Sequence, residues 1–110
     1  MFDPKTLSEQ KCVHGLKSDA ALNAEQIESG LKELNSWQVK ENTLTKTFRF
    51  DSYYQMIVFV NAVAWIAQQQ NHHPNVSFDF KTCTVAYWTH SAQGLTANDF
   101  ICAARVDNLY

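Results

Sequence analysis

The sequence predicts an α+β domain in the order α-β-β-α-β-β-α, and three observations carry that expectation. Apolar residues recur at helical spacing in three separated stretches. Between them, two regions alternate apolar and polar residues around a plausible reversal. The composition, 45% hydrophobic and 18% charged over 110 residues, suits one packed domain and is too apolar for a disordered chain. Two Pro and three Gly leave little room for linkers. A single domain over residues 23–110 is therefore expected, preceded by an N-terminal arm of residues 1–22.

The arm has no clear period beyond a short turn. Asn23-Ala24-Glu25-Gln26 then reads as a capping box. Ile27, Leu31 and Leu34 follow at the period of an amphipathic helix, which spans Ala24–Leu34 and is weakened by Gly30. Trp37 and Val39, then Leu44, Phe48 and Phe50, alternate with polar residues on either side of a Glu41-Asn42 turn. They predict a hairpin of Trp37–Lys40 with Thr43–Phe50. Ser52 to Gln55 is a second capping candidate and opens the longest helix, which runs to Gln70. That helix carries two apolar stripes, one through Tyr53, Ile57, Val60, Ala64 and Ala67, the other through Tyr54, Val58, Ala62, Trp65 and Ile66. A helix apolar on two sides must be covered on two sides. The sheet supplies one cover; a second subunit, or another helix of the same chain, supplies the other.

Pro74 disfavours the helical conformation at His73 and ends that region. Val76, Phe78 and Phe80 alternate as a half-buried strand, with the two phenylalanines as core candidates. Phe80-Lys81-Thr82 is the expected reversal. Cys83, Val85 and Tyr87 line one face of the next strand, and Thr84, Ala86 and Trp88 the other. Gly94 breaks the chain, and Thr96-Ala97-Asn98-Asp99 caps a last helix through Phe100, Ile101 and Ala104 toward Leu109.

Several function classes are disfavoured. The net charge is −2 and no run of Lys and Arg occurs, which argues against nucleic-acid binding. The most apolar stretch, Met56–Ala67, is interrupted by Asn61 and is too short to span a bilayer. The N-terminus MFDPKTLSEQK lacks the order of a signal peptide. Three cysteines, Cys12, Cys83 and Cys102, form no paired framework and read as reduced thiols of a cytoplasmic protein, Cys12 lying in a loose arm. Cys12 and His14 are close in sequence, but a zinc site needs two further ligands.

The histidines carry the chemical signal. His72 and His73 precede one strand and His90 follows its partner. A hairpin centred on Lys81 sets His72 opposite His90 and His73 opposite Thr89; a one-residue slip would exchange partners but keep the imidazoles at one end of the sheet. Imidazole exchanges protons near neutral pH, so two on one pocket wall suit an elimination: one protonates a departing hydroxyl while the other removes a proton. Ser77 and Ser91 lie in no nucleophile elbow. Asp99 either orients an imidazole or simply caps its helix. Three histidines and a water also form a catalytic zinc set. Adjacent residues of an extended segment point apart, however, so His72 and His73 are poorly placed to share one ion. Tyr87 and Trp88 read as strand packing before anything else.

The segment NHHPNVSFDFKTCTVAYWTHSAQGLTANDFICAARVD resembles the pterin-4a-carbinolamine dehydratase family. The matching features are His72-His73-Pro74, Phe80, His90, Gly94-Leu95 and Asp99. Upstream, Trp37, the Phe48–Phe50 strand and the FVNAVAWIA helix extend the match over most of residues 24–107. The resemblance implies a four-stranded antiparallel sheet with helices packed on one face. It implies dehydration of 4a-hydroxytetrahydropterin to quinonoid dihydropterin, in the service of a pterin-dependent aromatic amino acid hydroxylase such as phenylalanine hydroxylase. The family casts the positions of His72 and His90 as acid and base, and His73 as a pterin-binding residue. Asp99, Pro74, Thr89 and Gln68 become orienting or substrate-binding positions. No metal and no organic cofactor is implied, and the family's dimers and tetramers suit the doubly apolar second helix. Two positions depart from the pattern: Gln68 and Asn75 stand where acidic residues are common. They leave room for a divergent assembly module on the same scaffold.

Overall fold

The structure, a computed structural model, describes residues 2–15 and 20–110. Its helices are α1 (Ala24–Lys32), α2 (Tyr53–Gln70) and α3 (Ala97–Asp107); its strands are β1 (Gln38–Lys40), β2 (Thr43–Arg49), β3 (Asn75–Phe78) and β4 (Thr82–Tyr87). The strands form one sheet in the order β1-β2-β4-β3, each neighbouring pair antiparallel. This is the α+β order read from the sequence.

The alternation in the strands decides which side is covered. Leu44 and Phe48 of β2 and Cys83, Val85 and Tyr87 of β4 point to one face and are buried. Met56, Phe59 and Val63 of α2 and Phe100, Ile101 and Val106 of α3 complete that core; the Phe48 and Phe59 rings meet at 4.6 Å between centroids. On the other face Thr47 pairs with Thr84, their hydroxyls 2.8 Å apart.

Local chemistry sets the helix ends. Asn23 Oδ1 accepts from the Gln26 amide at 2.9 Å and Gln26 Oε1 accepts from the Asn23 amide at 3.0 Å, the reciprocal bonds of a capping box. Ser52 Oγ accepts from the Gln55 amide. α1 ends at Lys32, before the expected Leu34, because the Leu34 amide turns to the Leu31 carbonyl in a tighter final turn. Gly30 is buried against α3: a Cβ there would lie 2.6 Å from the Phe100 ring. Trp37, just ahead of β1, is anchored by its indole N–H to Asp107 Oδ1 (2.8 Å), whose carboxylate also takes Lys46 Nζ and the Asn35 amide.

Three expectations are corrected, and one left open is narrowed. The β3–β4 register pairs Asn75 with Ala86 and Val76 with Val85, one residue away from a hairpin centred on Lys81. Asp79 is the cause. Its Oδ1 accepts from the Thr82 hydroxyl (2.7 Å) and the Thr82 amide (3.2 Å), so the reversal starts at Asp79. Phe78 and Phe80 are exposed rather than core, because β3 is the sheet edge; Phe80 stacks on Tyr53. Of the second stripe of α2, Ile66 is buried, while Tyr54 is 77% exposed, Val58 49% and Trp65 61%, so no other described helix covers those three. Finally, the arm is not loose around Cys12. Leu7 is buried in the core, Phe2 packs edge-on to Phe100, and Arg105 donates to the Gln10 carbonyl. The Cys12 amide donates to Gln70 Oε1 at 2.8 Å, and Val13 exchanges two bonds with the Asn98 amide side chain. Among the described residues no helix is long and apolar enough to cross a membrane.

Candidate functional site

The site begins where α2 stops. Asn71 takes the left-handed conformation (φ 50°, ψ 44°), and the Asn71 and His72 amides both turn back to the Ala67 carbonyl. Pro74, half-buried, then commits the chain to the extended path of β3. Between these two constraints His72 is driven inward. Its ring is buried and lies parallel to that of Tyr87, 5.8 Å away with a 6° interplanar angle.

His72 Nε2 lies 2.6 Å from Asp99 Oδ1. Asp99 is fully buried at the first turn of α3, and its other oxygen accepts from the Thr96 amide (2.9 Å) and the Thr89 hydroxyl (2.8 Å). The Thr89 and Thr96 hydroxyls are 2.8 Å apart. Since Thr89 gives its proton to Asp99, Thr96 gives its own to Thr89. The carboxylate thus receives three donors, the kind of pairing that makes a buried charge tolerable. Because a carboxylate only accepts, Nε2 carries the hydrogen, and the tautomer of His72 is set.

The alternation that continues past β4 decides which predicted residues join this network. Side chains alternate after β4: Tyr87 inward, Trp88 outward, Thr89 inward, His90 outward. Thr89 therefore reaches the carboxylate that holds His72. His90 opens a 3-10 turn, His90–Ala92, is exposed, and stands edge-on to Trp88 at 5.2 Å. His73 is likewise exposed. His72, Thr89 and Asp99 are thus joined by hydrogen bonds, while His73 and His90 sit at the surface, each one residue from a member of the network. Gln68 is exposed on α2 and is not part of it.

Sequence reading missed Thr96 as a donor, the Tyr87 ring beneath His72, and the docking of the arm. His14 Nε2 lies 2.9 Å from the Gln70 carbonyl, and its ring is 6.3 Å from that of His72. The capping pattern at Thr96 and Asp99 was a usable signal for the first; contacts between residues 56 to 95 positions apart left no local signal for the arm. Among the described residues no group of three His, Cys, Asp or Glu side chains is placed to hold a metal ion. A cavity of about 870 Å³ lies against the arm and is lined by Phe2, His14, Leu22, Asn98 and Ile101 among others, but not by His72, His73 or His90.

Comparison with known proteins bears on what this arrangement serves. The sequence profile of the pterin 4 alpha carbinolamine dehydratase family matches residues 20–109. A Nitrosomonas eutropha protein named "Putative pterin-4-alpha-carbinolamine dehydratase" is 44% identical over 104 residues, covering 94% of this chain and 92% of its own. A Legionella pneumophila protein of the same name is 44% identical over 106 residues, covering 94% of each. Among solved structures, the transcriptional coactivator/pterin dehydratase of Brucella melitensis superposes with a TM-score of 0.78 at 24% identity, over 81% of this chain and 97% of that one, a likeness of fold. A pterin dehydratase-like protein described as a RuBisCO assembly factor in the alpha-carboxysome gives a TM-score of 0.58 at 30% identity, over 69% and 88%. With the profile spanning most of the sequence and relatives aligned over nearly their full length, the chain belongs to the pterin-4a-carbinolamine dehydratase family.

Proposed function

We propose that the chain dehydrates 4a-hydroxytetrahydropterin to quinonoid dihydropterin by histidine acid/base catalysis. The observation that carries this reading is the buried His72–Asp99 pair, tied to Thr89 and Thr96. Nε2 faces Asp99 at 2.6 Å, and the proton exchange with a substrate is proposed at the His72 ring. Asp99 orients the ring and stabilises its protonated form, the service a buried carboxylate gives an imidazole in hydrolytic triads. The elimination breaks the C–O bond at the hydroxyl-bearing carbon and removes a proton from the neighbouring ring nitrogen; the hydroxyl leaves as water. It needs one acid and one base and consumes no net proton, which suits a pair of imidazoles. His72 and His90 take these two roles, and His73 binds the pterin and shares in proton handling. Pro74 and Thr89 hold His72 in place. Gln68 is a weaker candidate for substrate binding, since a neutral amide cannot raise an imidazole's proton affinity by charge. The proposed physiological partner is a pterin-dependent phenylalanine hydroxylase, and the proposed assembly a homodimer or homotetramer in the cytoplasm.

Stopped-flow measurement of carbinolamine breakdown tests this. The full chain should accelerate it over buffer, and His72→Ala and His90→Ala should each lower the acceleration by about 100-fold or more. A wild-type trace that overlays buffer overturns the proposal.

A second reading, an assembly module without catalysis, is favoured by one observation. The stripe Tyr54, Val58 and Trp65 of α2 is apolar and exposed, and one structural relative is described as an assembly factor. Partner capture that survives His72→Ala, in a chain that binds no pterin, would select it.

A further inference from the structure

The docked arm brings two thiols together that lie 90 residues apart in sequence. Cys12 Sγ is 3.5 Å from Cys102 Sγ and 3.7 Å from the Asn98 carbonyl. We propose that Cys12 and Cys102 are a peroxide-oxidised dithiol, whose disulfide ties the N-terminal arm to α3 one turn beyond Asp99. This stands independently of the dehydratase reading.

Three features support it. The first is geometry: the sulfurs are already in contact at 3.5 Å, and the bond to be formed is about 2.05 Å long. The arm is held in place by Gln70, Asn98 and Arg105, so the encounter is a property of the fold and not of a passing tail.

The second is asymmetry of access. Cys12 is partly accessible and Cys102 is wholly buried, so an oxidant in solution meets Cys12 first and Cys102 second. The third is electrostatics. The Sγ–Sγ contact with Cys102 holds Cys12 below the usual thiol range against the opposing effect of burial, with His72 and Arg105 adding positive potential. The same contact, and then burial, push the Cys102 thiol up. Cys12 is therefore the nucleophile and Cys102 the resolving thiol. Cys83 has neither property: it is buried in the sheet, and burial pushes its thiol up to about 11.

The chemistry balances with hydrogen peroxide as the oxidant. The Cys12 thiolate attacks the O–O bond; one oxygen stays on sulfur as a sulfenic acid and the other leaves, after protonation, as water. The Cys102 sulfur then attacks the Cys12 sulfur. Its proton leaves with the sulfenic hydroxyl as a second water. Two thiols and one peroxide become one disulfide and two waters, and the two electrons lost by sulfur reduce the O–O bond. A thiol reductant reverses the product by exchange.

The test uses the wild-type full chain. It is treated with increasing hydrogen peroxide, quenched, denatured, alkylated and read by mass spectrometry. The expected product has lost two hydrogens, yields a peptide linking Cys12 to Cys102, leaves Cys83 alkylatable, and reverts with dithiothreitol. Cys102→Ala should instead stop at a Cys12 sulfenic acid that dimedone traps. If that variant does not fold, the wild-type result stands alone and still decides. Full alkylation of Cys12 and Cys102 after peroxide, a Cys12 sulfinic acid with Cys102 still alkylatable, or a link joining two chains overturns the proposal.

Discussion

His72 Nε2 and Asp99 Oδ1 lie 2.6 Å apart across 27 residues of sequence, one on the exit of a helix and the other in the first turn of the next. Asp99→Asn tests the pair. The amide cannot accept at every position where the carboxylate does, so at least one of the Thr96 amide, the Thr89 hydroxyl and His72 Nε2 loses its acceptor, and His72 is released to the other tautomer. Stability should fall by about 1–3 kcal/mol in urea denaturation. Dehydration should slow by about 100-fold or more, well beyond what the lost stability explains at a temperature where the variant remains folded.

The thiol of Cys83 predicts an alkaline limit to stability. Burial raises its titration from 9.0 to about 11. A group raised on folding contributes stability that is fully present below its unfolded value and is lost as pH climbs toward the folded one. Melting temperature in reducing buffer should hold to about pH 9 and then decline toward about pH 11. Cys83→Ala should lower the plateau through its cavity but flatten the decline. Tyr87 and Cys102, also raised chiefly by burial and by the Cys12 hydrogen bond respectively, preserve part of the slope. An alkaline limb identical in Cys83→Ala would refute the assignment.

Gly30 separates helix propensity from packing. In an isolated helix, Gly→Ala is stabilising by about 1 kcal/mol. Here the added Cβ meets the buried Phe100 ring at 2.6 Å, and overpacking of that kind costs about 1–3 kcal/mol. Gly30→Ala should therefore be net neutral to destabilising in urea denaturation. A clear gain in stability would show that α1 can shift away from α3 at little cost.

The exposed stripe of α2 predicts self-association. Light scattering coupled to gel filtration should give wild-type protein a mass of at least two chains, and Val58→Glu with Trp65→Glu the mass of one, because two buried carboxylates without partners are costly at an apolar interface. Since both side chains are exposed within the chain, the double variant should keep its circular dichroism. A wild type that runs as one chain removes the oligomer from the proposed function.

Much of the fold was legible because its signals are local. Asn23 and Gln26 form the box their spacing suggested, and the alternation through Cys83, Val85 and Tyr87 named the buried face of β4. Errors arose where a side chain overrode the local pattern or where topology decided burial. Asp79 moved the reversal by one residue, and the alternation past β4 put Thr89, not His90, on the inward side with His72. Phe78 and Phe80 alternate like core residues, yet β3 is an edge and nothing in their own segment reveals it. Asp99 was readable both as a cap and as a partner for imidazole; the structure gives it both tasks through different oxygens.

The left-handed turn at Asn71 has a consequence for how the molecule tolerates change. One backbone angle there sets the heading of the next residue's ring, so acceptance of substitutions at 71 should follow the cost of a positive φ rather than size or polarity. Glycine, which loses the side chain altogether, should pass, whereas valine, despite its modest bulk, should swing His72 away from its carboxylate.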